Sequence, residues 1–352
     1  MKSIFVVHSN ITYLISLGII QKENMSLNDV MIISDGYNCK GPIPINTVKV
    51  EANRSILRHS IARYLRLYFD PRCELYRLID DFLDGDSFIA YVPVLHLIKK
   101  LVILHPNCIQ FHFIEEGAAS YFKTMTLPEY AFVYGNNNWF YPKGWRGFKQ
   151  RLHCAYKEFG FKARVIETIP IAYMNHDNET RKFYCLSEEA YPALKWGEKI
   201  IVDLSSLVEL FSDDYHIEKY SKINIWIGDP DVEQWYGTEP FTNCILNKLL
   251  PAIKGQPLYV RFHYRESMRQ RANFIALLEQ NKIEYIIIDD YQIMELVFIN
   301  SNKCKCFSFQ SSLLIYAKIL GQETYSIAEG IPKLRTNIDE VMPCYSSFVK
   351  YI

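Results

Sequence analysis

Ile109-Gln110-Phe111-His112-Phe113-Ile114-Glu115-Glu116-Gly117-Ala118-Ala119-Ser120-Tyr121 falls into two halves of different character. The first half, β-branched and aromatic residues with short polar interruptions, has the pattern of a buried strand. The second half is a pair of carboxylates, a glycine and a run of small residues. A strand ending this way delivers its carboxylates to the carboxyl edge of a sheet, where Gly117 permits a tight turn or the close approach of a ligand. Open α/β sheets collect ligands at that edge. A carboxylate there is suited to general-base chemistry if its surroundings hold its proton affinity near the working pH. Neighbours on a strand face opposite ways, so one of Glu115 and Glu116 is expected to face the ligand side. A solvated loop with two surface glutamates is the alternative reading.

The 352 residues suffice for two domains, and 49% hydrophobic against 22% charged residues marks a globular chain. Lys+Arg and Asp+Glu are equal at 39 each, which removes bulk charge as an argument for nucleic-acid binding. Nine scattered cysteines, with Cys304-Lys305-Cys306 the one close pair, lack zinc or redox spacing and read as buried thiols in a reducing compartment. The N-terminus turns polar at His8, too soon for a signal peptide, and no apolar run approaches the ~20 residues that span a bilayer. The expectation is a cytoplasmic protein.

Outward from the central stretch, strands and helices alternate. Ile4–Val7, Val30–Ser34, Thr47–Val50 and Ser87–Val92 read as strands. Ile11–Ile20, Arg54–Tyr68, Leu75–Leu83 and Val94–Leu104 read as helices. The second half repeats this grammar with strands at Ile223–Ile227, Leu258–Phe262, Tyr285–Ile288 and Cys306–Phe309, and helices at Met268–Gln280 and Ser311–Leu320. Such alternation argues for parallel sheets covered on both faces. Turn-rich segments at Asn175–Arg181 and Pro192–Gly197 place the domain boundary between about Met174 and Lys199. The expected division is 1–185 and 186–352, with the last segment, Ile338–Ile352, packing back on the N-terminal domain. The aromatic stretch from Tyr130 to Arg164 reads as a loop over the sheet edge or a core-covering flap. Two α/β halves in tandem suggest the GT-B architecture: two Rossmann-like domains with a cleft between them.

Three constellations in the second half carry chemistry. Leu258–Arg261 runs into Phe262-His263-Tyr264-Arg265, a histidine at a strand end flanked by arginines. Such a histidine can protonate a leaving group or hydrogen-bond a phosphate, with Arg261 supporting anion binding. Ser311-Ser312 falls between a strand and a helix, where hydroxyls, amide N–H groups and the helix dipole favour phosphate. An ordinary helix cap is the other reading. Glu295, in an apolar unit, is placed to bind ribose hydroxyls or else sits on a solvated face. Asp84-Gly85-Asp86 and Asp229-Pro230-Asp231 spell the acidic triplet of metal-dependent glycosyltransferases, but the first reads as a surface turn and no metal is implied.

Glu115-Glu116-Gly117, His263, Glu295 and Ser311-Ser312, in that order, resemble the motifs of bacterial sialyltransferases and polysialyltransferases of the GT-B type. In that family the histidine precedes a proline, whereas here Tyr264 follows it. A literal His105-Pro106 precedes the carboxylates and lies in the other half, so it is a decoy. The resemblance implies an inverting transfer of sialic acid from CMP-sialic acid to a glycan hydroxyl, without metal or other cofactor. Glu116 or Glu115 would be the base, and His263 would assist the departing CMP. Ser311 and Ser312 would hold its phosphate, Glu295 its ribose, and Gly228 and Asp229 would line the cytosine pocket. It also implies that the N-terminal domain takes the acceptor, a lipooligosaccharide or capsule, with peripheral contact at the inner membrane. Two rivals stay open: a GT-B enzyme using another nucleotide sugar, and a glycan-binding protein without catalysis, which Tyr264 keeps in view.

Overall fold

The computed structural model describes residues 1–38, 45–50, 72–93, 97–103, 105–123, 180–192, 194, 197–211, 217–230 and 232–352. The expected helix at Arg54–Tyr68 and the aromatic stretch from Tyr130 lie outside them, with Arg164 at its end. The chain divides into two compact units, one formed by Met1–Glu116 with Thr124–Asp203, the other by Gly117–Lys123 with Leu204–Ile352.

The first unit holds a seven-stranded parallel sheet in the order β3-β2-β1-β4-β5-β6-β7. Its strands are β1 (Lys2–Val7), β2 (Val30–Asp35), β3 (Asn46–Val50), β4 (Phe88–Val92), β5 (Cys108–Ile114), β6 (Lys182–Cys185) and β7 (Glu198–Ile201). α1 (Asn10–Lys22), α2 (Arg72–Leu83) and α3 (Leu97–Ile103) belong to its crossovers. β1 and β2 are near-continuous apolar runs because both of their faces are covered. α1 starts sharply: Ser9 Oγ accepts the Thr12 N–H, and Thr12 Oγ1 accepts the Ser9 N–H at 3.1 Å. This reciprocal box fixes the turn that holds His8 at the end of β1.

The domain boundary falls after Asp203, later than the expected residue 185, because β6 and β7 join the first sheet. Each is four residues long and separated by turn residues, so local pattern hides both. Arg181, read as part of a polar linker, is buried with its guanidinium 3.7 Å from the centre of the Phe111 ring and its Nε donating to the Phe111 carbonyl.

His112 ties β5 to β6, its Nδ1 accepting the Lys182 N–H at 3.1 Å. Burial, reinforced by the Lys182 and Arg181 charges, lowers its pKa to about 4 from the ordinary 6.5. On acidification the unfolded chain therefore takes up this proton first. The stability contributed by neutral His112 is fully present above about pH 6.5 and is lost progressively toward pH 4. Urea unfolding is expected to weaken by on the order of 2–3 kcal/mol across that window through this residue. His112→Asn, whose Oδ1 can replace Nδ1 without titrating, should lose correspondingly less.

The second unit holds a six-stranded parallel sheet, β10-β9-β8-β11-β12-β13. Its strands are β8 (Asn224–Ile227), β9 (Leu258–Arg261), β10 (Tyr285–Ile287), β11 (Lys305–Ser308), β12 (Glu323–Ser326) and β13 (Lys350–Tyr351). Between them run α4 (Met268–Gln280), α5 (Met294–Asn300), α6 (Ser312–Ile319), α7 (Pro332–Val341) and α8 (Tyr345–Phe348). Trp226 anchors the core, stacked on Phe274 at 4.9 Å and edge-on to Phe309 at 5.7 Å. Cys306 is buried in β11, as its strand position predicts. The terminal segment belongs to the second unit, where it adds β13 to the sheet. Instead Gly117–Lys123 joins the second unit, with Tyr121 edge-on to Phe348 at 5.3 Å and the Lys123 N–H donating to the Val341 carbonyl.

In each sheet the earliest strand, β1 or β8, has later strands on both sides, so each has a switch point where successive crossovers diverge. Carboxyl ends of strands at such points are where α/β sheets bind ligands. Among the described residues, no helix is long and apolar enough to cross a membrane.

Candidate active site

The two neighbouring glutamates occupy different environments. Glu115 continues the ladder beyond β5, its N–H donating to the Tyr184 carbonyl at 2.9 Å. Its side chain is fully buried, and Oε2 accepts the Leu186 N–H at 2.8 Å, clamping the chain that leaves β6. Glu116 retains 14% of its side-chain surface, and its Oε2 lies 3.5 Å from His8 Nε2. His8 reaches it from the end of β1, across the end of β4. Gly117 then adopts φ 136°, which favours glycine and turns the chain away immediately after the carboxylate. The solvated-loop reading fails for Glu115, whereas Glu116 keeps part of its surface exposed.

The literal His-Pro is structural. His105 is buried, with Nε2 3.2 Å from Asp80 and the Tyr76 ring against it, and burial lowers its pKa. Asp84 and Gly85 form a left-handed turn before β4, with φ 50° and 84°. Of the second acidic triplet, Asp231 lies outside the described residues.

In the second unit the chain leaves β9 into a turn held around His263. The His263 N–H donates to Glu266 Oε2 at 2.7 Å, and its carbonyl accepts from Arg271 Nη2 at 2.7 Å. Nδ1 accepts the Arg265 N–H at 3.1 Å, and Tyr264 stacks on the imidazole at 4.7 Å. With Nδ1 engaged as an acceptor, the neutral ring carries its proton on Nε2. Hydrogen bonds hold this turn, with Tyr264 where the resembled motif has a proline.

On the other side of β8, Ser311 is the N-cap of α6, its Oγ accepting the Leu313 N–H at 3.3 Å, and Ser312 is the first helical residue. The loop leading to them is held by Asp229. Its Oδ2 accepts from Ser308 Oγ at 2.7 Å, from the Phe309 N–H at 2.9 Å and from the Gln310 N–H at 2.7 Å. Burial raises the Asp229 pKa, and these donors oppose the rise. Gly228 and Asp229, expected to line a cytosine pocket, are both buried. Asp229 is buried and turned toward the β11–α6 loop, and a Cβ at Gly228 would stand 2.1 Å from Glu266 Oε2.

Arg261 is committed to Asp290 after β10, through Nη1 to the carboxylate and Nη2 to the carbonyl at 3.2 Å. Glu295, in the first turn of α5, is buried rather than solvated, which raises its pKa, and the Arg261 charge opposes that rise. Arg261 and Glu295 thus share one neighbourhood at the carboxyl ends of β9 and β10. His263 and Ser311-Ser312 flank β8, with His263 following β9 and the serines following β11. Glu115 and Glu116 belong to the other unit.

Three contributors escape the sequence reading: His8, Glu266 and Gln270. His8 carries a signal, a histidine between a first strand and a capped helix. Glu266 and Gln270 carry none, reading as solvated charge and amide at the start of a helix.

Two Rossmann-like parallel α/β units with these switch points define a GT-B fold. Among solved structures, one assigned as a UDP-N-acetylglucosamine 2-epimerase from Listeria monocytogenes matches with a TM-score of 0.51 at 10% identity, over 96% of this chain and 87% of that one. An S. aureus MnaA–UDP structure matches at 0.49 and 10% identity, over 93% of this chain and 79% of that one. The wall teichoic acid polymerase TagF matches at 0.46 and 14% identity, over 96% and 73%. Of the three, the epimerase match alone exceeds 0.5, and at its identity it speaks to the fold. No family model and no curated protein match the sequence.

Proposed function

We propose that this protein is an inverting glycosyltransferase that moves sialic acid from CMP-sialic acid to a hydroxyl of a bacterial surface glycan, lipooligosaccharide or capsule. The observation that carries the reading is the His263 turn, where the Arg265 N–H on Nδ1 leaves Nε2–H as the donor. A phosphate leaving at the carboxyl edge of β9 would meet that donor. The acceptor oxygen attacks the anomeric carbon as the bond to the CMP phosphate oxygen breaks. The acceptor proton passes to Glu116, and the departing phosphate takes the hydrogen bond of His263 Nε2–H. Attack opposite the leaving group inverts the anomeric centre.

Ser311, Ser312 and the first N–H groups of α6 hold the same phosphate, and Glu295 the ribose. These donors stabilise the developing negative charge without a cation in this scheme. The second unit takes the donor, the first the acceptor, and contact with the inner face of the membrane is peripheral. The resemblance in motif order favours CMP over the uridine nucleotide named for the S. aureus structure.

The test is CMP release from CMP-sialic acid in EDTA, with and without galactose- and sialic-acid-terminated acceptors. Acceptor-stimulated release is expected, falling about 10²–10⁴-fold in His263→Ala. Calorimetry showing UDP binding and no CMP binding would overturn the donor. Glycan binding without turnover on either nucleotide sugar would make the protein a binding module.

A further inference from the structure

We propose that Glu266 is a positioning residue: it fixes the His263 turn and, through Gln270, joins that turn to the Asp229 latch on the Ser311 loop. The inference rests on the role of His263 proposed above. Glu266 is buried, at 7% exposure, and both its oxygens are used. Oε2 takes the His263 N–H, and Oε1 takes Gln270 Nε2–H at 2.9 Å. The same Gln270 amide donates to the Asp229 carbonyl at 2.7 Å, while its Oε1 accepts the Glu233 N–H at 3.2 Å. Asp229 in turn holds Ser308, Phe309 and Gln310. One chain of hydrogen bonds therefore runs from the His263 turn on one side of β8 to the loop before Ser311 on the other.

Gly228 is required by this arrangement. Any side chain there would meet the Glu266 carboxylate and then the His263 backbone nitrogen, 2.9 Å from the added carbon. The glycine after β8 thus makes room for the Glu266 carboxylate.

The groups facing Glu266 are Asp229 from the β8 loop, Gln270 and Arg271 from α4, and His263 of its own turn. Burial, with the Asp229 charge adding, raises its pKa to about 7, while Gln270, the His263 N–H and Arg271 oppose the rise. Ionised, Glu266 accepts from both neighbours. Protonated, one oxygen becomes a donor facing another donor, and the clamp loosens.

The experiment compares Glu266→Gln and Glu266→Ala with wild type by two readouts. The first is the ¹⁵N spectrum of the His263 ring, assigned with His263→Gln, which reports the tautomer without any substrate. Wild type is expected to show the Nε2–H form, and Glu266→Ala to lose that preference. The second is kinetic. Small displacements of a reacting group cost up to about 10² in rate, so kcat should fall about a hundredfold in Glu266→Ala and about tenfold in Glu266→Gln. The acceptor KM should move less than twofold, and the rise of kcat through about pH 7 should vanish in Glu266→Gln. An unchanged His263 spectrum in both variants, or unchanged kcat and pH profile, overturns the proposal. If Glu266→Ala does not fold, the near-isosteric Gln variant decides on both readouts. If wild type turns over no donor, the spectrum still decides the positioning role, and only the proposed reaction fails.

Discussion

Glu116→Gln is expected to reduce acceptor-stimulated turnover by about 10²–10⁴-fold and to leave the unfolding midpoint nearly unchanged. The amide fills the same space beside His8 but cannot take the acceptor proton. Glu115→Ala should do the reverse in kind. It strips the Leu186 N–H of its buried partner, and an unsatisfied buried donor costs about 1–3 kcal/mol. Urea denaturation and single-turnover kinetics on the pair separate the two roles. A rate collapse in Glu115→Ala at full stability, with Glu116→Gln active, would reverse the assignment of base.

The second large effect is on stability. Asp229→Ala removes one oxygen that accepts three donors, two of them backbone N–H groups. A loss of about 3–5 kcal/mol is expected, as for other broken buried polar networks. Asp229→Asn retains an acceptor and should lose less. Because the loop starts α6, CMP affinity should fall in parallel, while acceptor affinity, assigned to the other unit, should not. Calorimetry beside urea melts checks both. Full stability in Asp229→Ala would mean that water replaces the carboxylate.

These expectations show where the sequence is legible. Both sheets and their alternation with helices follow from apolar runs bounded by turn residues, and α4 is read correctly at both ends, Met268 and Gln280. The candidate residues at strand ends, Glu116, His263 and Ser311, are found because the carboxyl edge of a parallel sheet is a predictable place. β6, β7, β12 and β13 are missed because each opens on a charged residue, Lys182, Glu198, Glu323 or Lys350, and has no longer apolar run beside it to mark a strand.

The roles of Glu266 and Asp229 fail for a related reason. Tyr264-Arg265-Glu266-Ser267 reads as a solvated turn, and nothing local says that Gly228 closes over it. Asp229 has the position of a ligand-binding acid but faces inward, since the loop before Ser311 offers it three donors. Sequence pattern places a residue at an edge. Which way the side chain points there is decided by tertiary donors and acceptors.

The excursion of Gly117–Lys123 bears on how such a chain can be recombined. A single cut between Asp203 and Leu204 would leave the second unit without Tyr121, which is fully buried against Phe348, and without the Lys123 strap on Val341. A chimera exchanging one half for a homologue's must therefore carry this heptapeptide with the C-terminal half, as a graft with three junctions. The first of those junctions falls directly after Glu116, so swapping donor halves would inevitably re-seat the residue proposed to activate the acceptor.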